Sequence, residues 1–207
     1  MTMKKRIVTL LLLALPILAA AQDESRYLRG AVPVENGYVV FRQHFNCPGK
    51  TQEEIRLALV EYLKQNVVKG PNALPQARFT DLGDSTGYIA ASVEETLYFR
   101  RAALVTHSTR FYYQLVCTPQ DGGFDIEMRR LHYLYEEAAN ARQRVQDFPA
   151  EEWITDEEAL NKKGKLTRLA GKKFRKFTID RKDEIFQGAA RAAGADRRTR
   201  VVEEYEY

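Results

Sequence analysis

The sequence predicts an α+β fold, an antiparallel sheet covered on one side by helices, and three observations carry that prediction. The first is a hairpin from Leu104–Thr118 and Phe124–Tyr135 around Pro119-Gln120-Asp121-Gly122-Gly123. With a two-residue Asp121-Gly122 turn, Gln120 faces Gly123 and the pairing continues unbroken. Cys117 then meets Ile126, Leu115 meets Met128, Tyr113 meets Arg130 and Phe111 meets His132, while Thr118 meets Asp125, Val116 meets Glu127 and Gln114 meets Arg129. One face is apolar and the other mixed, the signature of a sheet buried on one side. The second observation is Thr51-Gln52-Glu53-Glu54, a capping box in which the threonine hydroxyl and the Glu54 carboxylate satisfy backbone donors reciprocally. It opens a helix whose apolar residues Ile55, Leu59, Tyr62, Leu63 and Val67 recur at three and four. The third is an apolar stripe of Phe174, Thr178, Ile185, Phe186, Ala189 and Ala190 on a final helix over 174–193.

Residues 1–21 join Lys4-Lys5-Arg6 to an apolar run from Ile7 to Leu18 and then Ala19-Ala20-Ala21. That order is a secretory signal peptide, too short to span a bilayer, which takes about 20 apolar residues. Cleavage is expected between Ala21 and Gln22, placing the protein in the periplasm or outside the cell, and no later stretch is apolar enough for a transmembrane segment. Residues 22–37, polar with Gly30, Pro33, Asn36 and Gly37, read as a lead-in rather than a core element. Tyr38–Phe45 reads as a strand with Val39, Phe41 and Phe45 on one face. After the first helix, Gly70-Pro71 and Pro75 mark a loop. Strands follow at Arg78–Leu82 and Tyr88–Val93, with Thr96–Arg100 continuing the second past a break at Glu94-Glu95. After Glu136-Glu137, an Ala, Asn, Gln and Arg-rich stretch to Asp147 reads as a linker or flexible helix. Pro149–Leu160 reads as a short helix carrying Trp153, with a second capping box at Thr155–Glu158, and the tail from Gly194 is charged. The expected organisation is a signal peptide (1–21), lead-in (22–37), α+β domain (38–135), C-terminal helical extension packed on it (136–192) and charged tail (193–207).

Composition excludes several classes. Two cysteines in 207 residues are too few for a disulfide scaffold, and 44% apolar with 11% aromatic residues is too rich for a disordered chain. The formal charge of +4 is uneven: residues 161–182 hold ten basic side chains and one acidic, whereas the body before them is acidic on balance.

Five strings carry a family resemblance: Tyr27-Leu28-Arg29-Gly30-Ala31-Val32-Pro33, Phe111-Tyr112-Tyr113-Gln114-Leu115, His132-Tyr133-Leu134-Tyr135-Glu136-Glu137, Glu152-Trp153-Ile154-Thr155-Asp156-Glu157 and Phe174-Arg175-Lys176-Phe177-Thr178-Ile179-Asp180. They resemble the exported bacterial family called domain of unknown function 4468, whose fold is like that of the TATA-binding protein. Over residues 27–186 the resemblance implies a TBP-like five-stranded antiparallel sheet with helices on one face, in the order β-α-β-β-β-β-α. It carries over no catalytic or binding residues, and a fold name implies nothing about DNA.

The sequence offers no catalytic machinery of a recognised kind: no Gly-x-Ser-x-Gly elbow, no His-Glu-x-x-His and no glycine-rich phosphate loop. A non-enzymatic protein without cofactor is therefore expected. His107 and His132 fall about 13 Å apart in the expected register, too far to share a metal, so no metal site is expected. Cys47 and Cys117 fall near the same ends of strands separated by one strand, about 9–10 Å apart, against about 7 Å for a disulfide. Because Cys47 lies past its strand end, pairing stays open beside a buried Cys117 thiol.

Two surfaces remain. The outward sheet face, expected to present Arg110, Tyr112, Arg129, Leu131, Tyr133 and Tyr135, combines aromatic and arginine side chains as protein- or sugar-binding surfaces do. Its alternative is cover by residues 136–173 with Trp153 packed against it. The basic segment, with Lys172, Lys173, Arg175 and Lys176 at its centre, suits an anionic surface or a solvated loop. The expectation is an exported binding module for a protein or envelope component, with no nucleic acid as partner. A small-molecule binder with a cavity between sheet and helices is the alternative.

Overall fold

The computed structural model describes residues 24–102, 105–136 and 145–195. The signal peptide with its cleavage point, residues 137–144 of the expected linker, and the tail from 196 lie outside the described residues. In order, the elements are β1 (Val34–Glu35), β2 (Tyr38–Val39), β3 (Phe41–Asn46), α1 (Gln52–Leu63), β4 (Arg78–Leu82), β5 (Ile89–Ala102), β6 (Val105–Gln120), β7 (Gly123–Glu136), β8 (Val145–Pro149), α2 (Asp156–Ala159) and α3 (Lys176–Ala193). The main sheet is antiparallel, ordered β3-β7-β6-β5-β4, with β8 as a sixth strand. β3 pairs with the first half of β7 and β8 with the second half. The expected linker and helix around Val145–Pro149 thus give way to an edge strand, which has few apolar residues of its own and takes its order from β7.

The hairpin turn forms at Asp121-Gly122, where Gly122 takes φ +81° and Gln120 faces Gly123. It is tied to the start of α1: the Asp121 carboxylate accepts from the Gln52 amide at 2.7 Å, and the Gly122 amide donates to the Lys50 carbonyl at 2.9 Å. The capping box forms as the pattern requires, with the Glu54 amide donating to Thr51 Oγ1 (3.3 Å) and the Thr51 amide donating to Glu54 Oε2 (2.9 Å). Ile55, Leu59 and Leu63 of α1 are buried, and a π-helical turn over Lys64–Val68 continues the same buried face with Val67. A second π-helical turn over Ala170–Arg175 leads into α3, which ends at Gly194 in the left-handed conformation. The two helices pack closely at Gly188, where a Cβ would overlap the Tyr62 hydroxyl.

Several expectations are corrected. β5 runs unbroken through Glu94-Glu95, because Glu95 turns into the core, 1% exposed, against Arg181. The strand expected over 38–45 divides at Val40, whose amide donates to the Pro33 carbonyl. Residues 149–160 form a short 3-10 turn and the four-residue α2 instead of one helix, and the second capping box is absent: Thr155 Oγ1 donates to the Glu151 carbonyl. The lead-in is no mere approach, since Tyr27 and Val32 are buried in the core that joins the sheet, α1 and α3.

The largest correction concerns register. Pairing of β6 with β7 follows the expected partners from Gln120/Gly123 to Gln114/Arg129, then shifts so that Tyr112 meets His132 and Phe111 meets Tyr133. The extra residue is a β-bulge at Arg130, with φ +54°. Because side chains alternate with period two, one inserted residue exchanges the two faces for the rest of the strand.

Candidate functional site: the open sheet face

Past the bulge, β7 turns Leu131 (2% exposed), Tyr133 (0%) and Tyr135 (8%) into the core. These three expected surface residues are therefore interior. Tyr133 stacks on Phe111 with ring centroids 5.2 Å apart, and its hydroxyl is hydrogen-bonded to Thr178 Oγ1 on α3 at 2.7 Å. Burial raises the Tyr133 hydroxyl well above its ordinary value. In their place His132 and Leu134 come to the outer face, both half-buried.

The other three expected residues hold their positions. Arg110 is exposed; Tyr112 and Arg129 are half-buried on the outer face. Tyr112 and His132 stack nearly parallel, 4.4 Å between centroids. The Tyr112 hydroxyl donates to Glu94 Oε1 at 2.8 Å, and burial followed by that carboxylate pushes its pKa up. Across the face, Arg129 Nε donates to Gln114 Oε1 at 2.9 Å while its guanidinium lies 2.9 Å from Glu127. Glu127 also accepts from Arg42 Nε at 2.6 Å, and Arg42 reaches Glu35. Two open concavities meet at Arg129. One of about 470 Å³ lies toward Thr86, Tyr88 and Val116, the other of about 550 Å³ toward Asn36, Tyr38 and Arg130. Trp153 does not cover this face. It stacks on Phe148 at 4.4 Å and meets Phe174 edge-on at 5.3 Å, on the helix side of the sheet.

The sequence profile described as a domain of unknown function (DUF4468) with TBP-like fold matches residues 41–134. The crystal structure of a DUF4468 family protein from Bacteroides ovatus ATCC 8483 is 32% identical, with 86% of this chain and 98% of that one covered at a TM-score of 0.72. This chain belongs to the DUF4468 family. A TBP-like protein from Parabacteroides distasonis ATCC 8503, 19% identical over 80% of this chain and 99% of its own with a TM-score of 0.61, shares the fold. No curated protein matches the chain significantly.

In this DUF4468 protein the basic segment is largely committed to its own structure. Arg175 is fully buried: Nε donates to the Tyr27 carbonyl (2.7 Å), Nη1 to the Ile154 carbonyl (2.8 Å), and Nη2 to the Leu28 carbonyl and to Asp156. Burial pulls its pKa down and Asp156 opposes that pull. Lys173 Nζ donates to His107 Nδ1 at 2.8 Å, and Lys176 sits 4.1 Å over the Tyr27 ring. Arg175 therefore cannot touch an anionic surface, and Lys173 and Lys176 are only partly accessible. Lys172 is exposed, together with Lys162, Lys163, Lys165 and Arg168.

The histidines serve separate neighbours. His44 bonds Asp125 and Asn46, His107 lies between Lys173 and the Tyr135 hydroxyl, and His132 stacks on Tyr112. Burial, helped by Lys173, holds His107 below the ordinary imidazole value. Among the described residues no three His, Cys, Asp or Glu side chains converge as metal ligands. Cys47 and Cys117 are buried and unpaired, and burial pushes the Cys117 thiol up to about 12.

A sequence signal for the bulge exists. The inward residues Phe124, Ile126, Met128, Leu131, Tyr133 and Tyr135 step by two except for a single step of three, at Arg129-Arg130.

Proposed function

We propose that this protein is an exported, non-enzymatic binding module whose uncovered sheet face docks a partner, a protein or another component of the cell envelope. The observation that carries the reading is the pairing of an open face, with the Tyr112–His132 stack flanked by Arg110 and Arg129, to a helix side filled by one continuous core. Aromatic and arginine side chains on a firm backbone are the residue types that carry most binding energy in protein interfaces. The small-molecule reading is weaker: the concavity between sheet and α3, beside Glu95, Phe177 and Arg181, holds about 190 Å³, against roughly 300 Å³ or more for a typical ligand site. The basic segment ranks second because Arg175 is spent on the fold and Lys173 and Lys176 are partly so. Export rests on the Lys4-to-Ala21 pattern alone.

The test is affinity capture from envelope extracts on the chain beginning at Gln22. A Tyr112→Ala/His132→Ala variant is expected to lose what the wild type captures, while neutralising Lys162, Lys163, Lys165 and Arg168 leaves it in place. Identical capture by wild type and the aromatic variant would sink the sheet-face reading.

A further inference from the structure

The bulge in β7 does more than exchange two faces. Ordinary alternation would send one of two consecutive arginines inward, yet Arg129 and Arg130 both line the concavity of about 550 Å³ on the open side. Arg130 does so at φ +54°, where glycine sits without steric cost and an arginine does not. A bulge needed only for the turn of the strand would be served better by glycine, the residue that such left-handed bulge positions favour. Strain of this kind persists where a side chain has work to do at a site.

The charges around this groove are unbalanced. Three guanidiniums, of Arg42, Arg129 and Arg130, face two carboxylates, of Glu35 and Glu127. Glu127 is shared by Arg42 and Arg129, and Glu35 is held by Arg42. Among the described residues no carboxylate pairs with the exposed Arg130. Arg129 is fixed through Nε and Nη1 by Gln114 and Glu127, so its orientation is set before any ligand arrives. Tyr38, 66% exposed, stands at the wall of the same groove.

We propose that this groove is a carboxylate-binding site that receives an acidic segment of a partner protein. Glutamate or aspartate side chains accept hydrogen bonds from Arg130 and the free edge of Arg129, with Tyr38 packing beside the segment. The inference rests on the reading that the open face docks a protein. An extended segment fits better than a point anion because the groove continues past Arg129 into the second concavity. Densely charged polyanions fit worse, because the groove carries only one guanidinium in excess of its carboxylates, enough for spaced acidic side chains and too little for a continuous run of negative charge.

The probe is a fluorescein-labelled synthetic peptide of glutamates spaced by glycine with one central tyrosine, compared with its glutamine analogue by anisotropy at low ionic strength, using the full chain as isolated. The wild type is expected to prefer the glutamate peptide, with the preference weakened by salt. Arg130→Gly is expected to weaken that binding about tenfold or more, the size expected for losing a charge-assisted pair, while its Tm stays level or rises because glycine suits the bulge. Equal binding of the two peptides by the wild type, or equal binding by Arg130→Gly, overturns the proposal. So does a Tm loss in Arg130→Gly, which would make Arg130 a structural residue, and so does a preference for phosphatidylglycerol vesicles over the peptide. If the peptide fails while Tyr112→Ala/His132→Ala still abolishes partner capture, the acidic-segment inference alone falls; if capture is also unaffected, the docking reading falls with it.

Discussion

Buried charge is what distinguishes this core at the scale of single residues. Arg181 reaches down from α3 and holds Glu95 with both nitrogens of one edge, Nε to Oε1 at 2.9 Å and Nη2 to Oε2 at 2.8 Å, while the Tyr113 hydroxyl donates to Oε1 at 3.2 Å. Burial works against the Arg181 charge, but Glu95 and its neighbours more than offset that and hold its pKa above the ordinary value. Removing one partner from such a pair leaves the other as an unpaired charge in the interior, at a cost of about 3–5 kcal/mol. Arg181→Met should therefore destabilise strongly in urea unfolding, and adding Glu95→Leu should recover much of the loss. A double variant as unstable as the sum of the two singles would show that the pair is not coupled. None of this was legible in the sequence. A glutamate pair inside a strand reads as a break, because the partner that makes Glu95 tolerable lies 86 positions away. Arg175 hides for the same reason, sitting in a basic run that reads as solvated while its guanidinium stitches the Tyr27–Leu28 backbone to the Ile154–Asp156 segment.

Among the elements, those governed by local chemistry were legible and those governed by a distant partner were not. The Asp121-Gly122 turn, the Thr51 capping box and the stripe on α3 each depend on neighbours within a few positions, and each formed as the pattern requires. β8 depends on β7 for every ladder bond and left little trace in its own composition. The bulge lies between these cases, because its step of three is written in the strand but is invisible to a reading that assumes strict alternation. Contact between α1 and α3 yields a prediction at this scale. Gly188 admits the Tyr62 ring with no room for a Cβ, so Gly188→Ala should cost about 1–3 kcal/mol by overpacking despite alanine's better helix propensity. Tyr62→Phe/Gly188→Ala should regain part of it, and thermal denaturation of the three proteins would decide. An unchanged Tm in the single variant would contradict the close packing.

For the molecule as a whole, two helices close one side of the sheet and leave the other open, and the bulge at Arg130 decides what the open side presents. It withdraws three apolar residues that strict alternation would have exposed, and it brings out His132, Leu134 and a second arginine. One inserted residue thus decides both which β7 side chains join the core and which ones the open face presents. Hydroxyl-radical footprinting of the protein, alone and with the material it captures, tests this most directly. Tyr38 and Tyr112 should be oxidised in the free protein while Tyr113 and Tyr133 are spared, and Tyr112 and His132 should become protected in the complex. Oxidation of Tyr133 at the rate of Tyr112, or protection confined to the helix side around the exposed Leu57, would contradict it.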